Sequence, residues 1–311
     1  MEFNKDQFIW PEKYRPHKIK DCILPKELLV PFSEFVAKKE IPNLLLSGTS
    51  GVGKTTVARA LCEELNADYL LINAGEESGI DVLRVKMRNF AASVSLEGGI
   101  KIIILDEADR LNPNTTQPAL HGFIEEFASN CRFIFTCNHK SRIIPPLHSR
   151  TTNIDFRLKP EDRPKMAAKF MKRIKEILDA ESIQYDEKVV VQLINKHFPD
   201  YRHILNDLQW YSSTGKIDEG VLALVGETNM TELIESLKEK NFTKMRTWAE
   251  KTEPDALMFR SLFDTLSPLV KETPKLVILL NDYQYKAAFV ADSNLNLAAC
   301  LTEIMVTVTF K

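Results

Sequence analysis

No apolar run in this chain of 311 residues approaches the roughly 18 needed to cross a bilayer, and the charged start, Met1 to Asp6, has no apolar signal core. The expectation is a soluble cytoplasmic protein with no membrane partner. Cysteine is scarce: Cys22, Cys62, Cys131, Cys137 and Cys300 are odd in number and include no C-x-x-C pair. That excludes a cysteine-paired zinc module and fits a reduced compartment with buried thiols. A surplus of one charge is missing too, since 41 basic residues face 43 acidic ones for a net charge of −2. A generally basic nucleic-acid coat is therefore excluded, although a whole-chain sum leaves a local basic surface open. Repeats and low-complexity tracts are also absent. With 44% aliphatic and aromatic residues, this length predicts two or three domains.

The most informative stretch is Leu44-Leu45-Leu46-Ser47-Gly48-Thr49-Ser50-Gly51-Val52-Gly53-Lys54-Thr55-Thr56. Four residues separate Gly48 from Gly53-Lys54-Thr55, the spacing at which backbone N–H groups point into a concavity that fits the α- and β-phosphates. Lys54 then reaches the β and γ oxygens and the Thr55 hydroxyl ligates Mg2+. A chance glycine-rich turn would lack the buried-strand pattern before it and the helix pattern after it, Val57, Ala58, Ala60, Leu61 and Leu65. Gly51, Val52, Gly53, Lys54, Thr55 and Thr56 are the candidate phosphate-side positions.

Before this loop, Pro11 and Pro16 bracket Glu12, Lys13, Tyr14 and Arg15, which predicts an extended segment rather than a helix. Two readings stay open: a tethered arm whose aromatics fill a groove, or Tyr14 covering an adenine base. An amphipathic helix is expected over 26–40, and a strand over 69–73 completes a β-loop-α-β start to a parallel sheet. Residues 79–90 read as a helix with Ile80, Leu83, Met87 and Phe90 inward, while Arg84 and Arg88 share one face and Lys86 stands off it. A solvated face and a phosphate-contacting face are both compatible with that pattern.

The run Ile100 to Leu105 ends in Asp106-Glu107-Ala108-Asp109. At the tip of a buried strand, Asp106 suits Mg2+ and Glu107 suits the polarisation of an attacking water. A helix is expected over 117–127 and a central strand over 132–138, whose tip makes Asn138 a candidate γ-phosphate sensor. A last strand, Thr152 to Phe156, is followed by helices only, over 161–180, 186–197, 202–213, 218–226, 231–239, 243–250, 255–271, 274–289 and 293–309.

Taken together, these residues resemble the clamp-loader branch of the AAA+ ATPases, especially its T4-like bacteriophage group, with replication factor C small subunits as further relatives. Glu12-Lys13-Tyr14-Arg15-Pro16 looks like that family's adenine-side box, residues 79–84 like its DNA-facing helix, Asp106 to Asp109 like its Walker B, and Ser149-Arg150 like the start of its arginine-finger motif. Phe198-Pro199-Asp200-Tyr201-Arg202, with Tyr211-Ser212-Ser213, is similar to the phage version.

The resemblance implies an α/β P-loop AAA+ domain over 1–157, a parallel sheet with flanking helices, then an all-α lid over 158–229 and an all-α collar over 230–311. It implies ATP and Mg2+ as cofactors, with Glu12, Lys13, Tyr14 and Ile23 on the adenine side. Lys54, Asp106, Glu107 and Asn138 carry the chemistry, Thr55 and Asp106 the metal. Arg202 contacts the phosphates from the lid, and Arg150 acts in trans on a neighbour's nucleotide. Arg84 and Arg142, with Lys86 and Arg88 nearby, would face duplex phosphates. The implied partners are further copies of the chain and a small subunit in a pentameric ring, a sliding clamp and primer–template DNA. A branch-migration motor and a non-hydrolysing scaffold subunit are the alternatives. Three positions depart from the family pattern: Thr151 stands after the finger arginine, His121 replaces an arginine after Leu120, and Ser78 replaces a basic residue.

Overall fold

The computed structural model describes residues 8–76, 79–93, 100–213, 215–218, 230–252, 254 and 258–311. The chain separates after residue 218 into two compact units.

The first unit is organised by five parallel strands: β1 (Leu44–Ser47), β2 (Asp68–Asn73), β3 (Lys101–Asp106), β4 (Cys131–Cys137) and β5 (Thr152–Asp155), in the order β2-β3-β4-β1-β5. Successive side chains of a strand point to opposite faces, and the burial follows that rule. Leu44, Leu46, Ile102, Ile104, Ile134 and Ile154 pack on one face, and Leu45, Ile72, Ile103, Leu105, Phe133 and Phe135 on the other. Covering both faces is what a parallel sheet demands, and it explains why β1 and β3 read as unbroken apolar runs. Burying each such side chain stabilises by about 1.5–3 kcal/mol, against about 1 kcal/mol net for a hydrogen bond. Side-chain sorting, more than the ladder, therefore sets the register in which Leu44 lies opposite both Ile134 and Thr152.

Helices α1 (Trp10–Lys13), α2 (Lys26–Lys38), α3 (Lys54–Glu64), α4 (Ile80–Ala92), α5 (Thr116–Glu126) and α6 (Pro145–Ser149) accompany the sheet. The expectation for the N-terminal segment was wrong at α1. Pro11 occupies the first turn, where its missing N–H costs nothing and its fixed φ suits a helix start. The lid helices are α7 (Arg163–Ala180), α8 (Glu187–His197) and α9 (Tyr201–Ser212). Here too the expectation of helices alone needs correcting, because β6 (Gln184–Tyr185) and β7 (Lys216–Ile217) form a two-residue parallel pair. Except for Asp218, the helix expected over 218–226 lies outside the described residues.

The second unit contains α10 (Met230–Lys238), α11 (Phe242–Lys251), α12 (Met258–Leu266), α13 (Thr273–Ala287) and α14 (Ser293–Thr307) around Leu233, Trp248, Leu262, Leu276, Leu297 and Ile304. The helix expected over 255–271 stops at Leu266 and continues as a 3-10 turn through Leu269. Pro268 has no N–H to extend the α-helical ladder. Among the described residues no helix is long and apolar enough to cross a membrane.

Candidate active site

Because β3, β4 and β1 are neighbours running the same way, their C-terminal ends deliver Asp106, Asn138 and the glycine-rich loop side by side. This is where ligands sit on open parallel sheets. Gly53 precedes α3 with φ +93 and has nothing within 4 Å of an added Cβ, so its need for glycine is conformational. Gly51, at φ +73, has a spatial reason as well, since a Cβ there would lie 1.8 Å from Asp200 Oδ1.

Lys54 is buried at the start of α3, and its Nζ donates to Gly48 O (2.9 Å), Thr49 O (2.7 Å) and Asn138 Oδ1 (2.8 Å). Burial holds its ammonium below the usual lysine pKa, with Asp106 pulling the other way. The Thr55 hydroxyl donates to Asp106 Oδ1 at 2.7 Å, and the Thr136 hydroxyl to the same oxygen at 2.5 Å. Glu107 follows at φ +56, a left-handed conformation unusual for a residue with a Cβ. Its N–H donates to Thr136 Oγ1 (3.1 Å), while its carboxylate pairs with Arg110 Nε at 2.9 Å. Strained backbone at this point of a cleft fits a functional position. Asp109 is buried and accepts from the N–H groups of Asn138 (3.2 Å) and His139 (3.0 Å), which fixes the Asn138 backbone at the strand tip.

The lid closes the other side. Asp200 caps α9 by accepting from His203 N–H (2.9 Å), and Tyr201 N–H donates to Gly51 O (3.1 Å), so the lid helix is pinned to the phosphate loop. Arg202, one residue on, is exposed and lines the cleft with Lys54, Thr55, Asp106, Glu107 and Asn138. Away from the phosphate loop the walls become more apolar, with Tyr14, Ile23, Val57, Phe170 and Leu205.

Tyr14 belongs to a tethered arm and stands at the cleft, and its hydroxyl donates to Glu181. The arm is tethered further by Trp10 N–H to Gln209 Oε1 at 2.9 Å. Glu12 and Lys13 are not among the lining residues, because Glu12 pairs with Arg15 and Arg59, and Lys13 Nζ with Glu181 at 2.6 Å. Arg15 and Arg173 do line the cleft and escaped sequence reasoning. Arg173 sits in a helix so rich in lysine and arginine that its pattern reads as a solvated face.

Arg150, at the end of α6, lies outside this lining and contacts Glu125 of α5 through Nη2 (2.5 Å) and Nε (3.2 Å). On α4, Arg84, Lys86 and Arg88 are exposed, and Arg88 Nη2 reaches Glu126 Oε2 at 3.4 Å over the Phe123 ring. Arg142 is also exposed and lines a shallow cleft with Arg110 and Asn112. His121 is half-buried on α5, whereas Ser78 lies outside the described residues.

The residues fit a nucleoside triphosphate: a buried ammonium, loop N–H groups at a helix start, and a hydroxyl–carboxylate pair beside them. Comparison with known proteins agrees. Residues 44–159 match the ATPase family associated with various cellular activities (AAA), and residues 162–223 match the AAA+ ATPase lid domain of the sliding-clamp-loader large subunit. The sliding-clamp-loader large subunit of Escherichia phage RB69 is 41% identical over 83% of this chain and 82% of its own, and that of Enterobacteria phage T4 is 39% identical over 82% of each. The replication factor C small subunit of Methanococcus vannielii is 31% identical over 95% of this chain and 98% of its own. Among solved structures, the Thermotoga maritima RuvB Holliday junction branch migration motor aligns with a TM-score of 0.54 over 81% of this chain and 78% of that one. At 15% identity that likeness shows the fold alone. The chain is an ATP hydrolase and belongs to the sliding-clamp-loader large-subunit family of the AAA ATPases.

Proposed function

We propose that the chain hydrolyses ATP at a composite site in order to load a sliding clamp onto primer–template DNA, working in a pentameric ring with further copies of itself and a small subunit. The observation that carries this reading is the convergence of Lys54, Thr55, Asp106, Glu107 and Asn138 with the lid residue Arg202 on one cleft. Lys54 exchanges its contacts with Gly48, Thr49 and Asn138 for phosphate oxygens, and Asn138 is left to orient the γ-phosphate. Arg202 adds a cation from the lid. Thr55 and Asp106 would hold Mg2+, which neutralises charge on the β- and γ-phosphates. The adenine packs among Tyr14, Ile23 and the apolar walls, with the Glu12 and Lys13 backbone nearby. The proposed divisions are 1–157 for nucleotide binding, 158–229 for the lid and 230–311 for the collar. Ile278, Tyr285, Phe289 and Val306 of the last division are 68–74% exposed, which supports an oligomerising role. The phage relatives support a cytoplasmic setting in an infected cell. The deciding measurement is ATPase rate with and without clamp and primer–template DNA, in the presence of partner subunits. Stimulation by both supports the proposal, and indifference to both refutes it.

Glu107 serves as general base only after its carboxylate leaves Arg110. Arg110→Ala is therefore expected to raise DNA-independent ATPase several-fold and to narrow the gain from DNA. An unchanged basal rate in steady-state assays would show that this ion pair does not restrain the base. Arg84 and Arg142, flanked by Lys86 and Arg88, are proposed to contact duplex phosphates independently of sequence. The double change Arg84→Ala, Arg142→Ala should lower the slope of log affinity against log salt by about 2, near 1 per lost phosphate contact. Fluorescence anisotropy of the assembled ring on primer–template DNA reads that slope, and an unaltered value returns α4 to a solvated face.

A further inference from the structure

Among the described residues one trio of metal-binding side chains stands apart from the ATP cleft: His197 at the end of α8, and His203 and Asp207 four apart on one face of α9. The two imidazoles stack with centroids 4.1 Å apart and planes 20° from parallel, bringing both Nε2 atoms to a single carboxylate oxygen. His197 Nε2 lies 3.3 Å and His203 Nε2 3.5 Å from Asp207 Oδ2. Those separations exceed the roughly 2.7–3.2 Å of an N–H···O hydrogen bond. They are close to the edge of a tetrahedron with bonds near 2.0 Å, about 3.3 Å, and the exposed His203 ring has only to turn out of the stack for the in-plane lone pairs of both imidazoles to meet at one ion. His197 and Asp207 are largely covered, at 22% and 24% side-chain exposure, while His203 is open at 53%. That leaves a solvent-facing side for a fourth ligand.

We propose that His197, His203 and Asp207 form a divalent transition-metal site suited to Zn2+. Two imidazole nitrogens and one carboxylate oxygen are a donor set that such ions prefer over Mg2+ or Ca2+. The site ties the end of α8 to α9 across Phe198 to Arg202, the turn whose Tyr201 N–H holds Gly51 and whose Arg202 enters the ATP cleft. Zinc therefore acts as a staple that stiffens the lid turn against the phosphate loop. The five cysteines are buried and do not compete for the ion.

The test uses the full chain, stripped with EDTA and free of nucleotide, because ATP itself binds zinc. Calorimetric titration with ZnCl2 should give one ion per chain, and hydrogen exchange of the amides over 198–203 should slow on binding. His203→Asn and Asp207→Asn should each weaken the affinity at least about tenfold, since loss of even a supporting partner costs roughly 10–100-fold. His203 is half-exposed and Asp207→Asn conserves shape, and circular dichroism checks the fold of each. If Asp207→Asn fails to fold, His203→Asn decides. Absence of saturable one-to-one binding, or affinity unchanged by the substitutions, overturns the proposal and leaves the trio an ordinary surface cluster.

Discussion

Arg150→Ala is expected to lower ATP turnover of the assembled ring by about 10³-fold or more, the range in which a supplied arginine accelerates phosphoryl transfer. Nucleotide binding by the isolated chain should be unchanged. The asymmetry follows from where the side chain sits: Arg150 is outside the cleft lining of its own chain, at the end of α6, and rests on Glu125. Outside that lining it is half-exposed, held by the surface carboxylate of Glu125 and by the Ser149 hydroxyl. An exposed ion pair of this kind is weak, so it leaves the guanidinium available for the proposed in-trans contact. Hydrogen bonding from Arg150 holds the Glu125 carboxyl below the usual carboxylate range, so the pair persists at neutral pH. Mixed rings provide the sharper measurement. Combining Arg150→Ala subunits with subunits that cannot bind ATP should restore or abolish turnover according to which neighbour carries the arginine. Wild-type turnover by a ring built wholly from Arg150→Ala would remove the in-trans assignment.

How much of this was legible in the sequence depends on how local each feature is. The phosphate loop was fully readable, because a strand, a glycine-rich turn and a helix start are consecutive, and their spacing alone prescribes the cradle. Asp106, Glu107 and Asn138 were readable as strand tips, although only the strand order β3-β4-β1 makes them neighbours. Helix limits fell within a few residues of expectation where caps were plain, as at Asp200 and Asp292. They failed at Trp10–Lys13, where a proline read as a helix breaker is instead a helix starter. What remained hidden was tertiary. The pairing of Glu107 with Arg110, the grip of Asp109 on the Asn138 backbone and the arrival of Arg173 in the cleft depend on chain segments meeting. The stacking of His197 on His203 likewise joins two helices, and no periodicity in either one announces it.

Lys54→Ala is expected to reduce DNA-stimulated ATP hydrolysis by about 10²–10³-fold, the cost of deleting one preorganised donor to developing charge. Unlike Arg150→Ala, it should also weaken nucleotide binding by the isolated chain. The side chain is only 7% exposed, and burial disfavours its charged form, so the fold maintains an ammonium at some expense before any ligand arrives. Its three partners show how that expense is offset: Gly48 O, Thr49 O and Asn138 Oδ1 accept one hydrogen bond each and use all three donors. Removing the ammonium orphans those acceptors and detaches Asn138 from the loop, so one substitution removes the cation and also frees the side chain proposed as the γ-phosphate sensor. Lys54→Arg separates these effects. It retains the charge but not the compact geometry, and should recover part of the binding with little of the turnover. Equilibrium binding of a fluorescent ATP analogue and single-turnover hydrolysis measure the two quantities, with thermal melting to verify the fold. A Lys54→Ala chain that turned over ATP at the wild-type rate would mean that the glycine-rich loop does not hold the reacting phosphates.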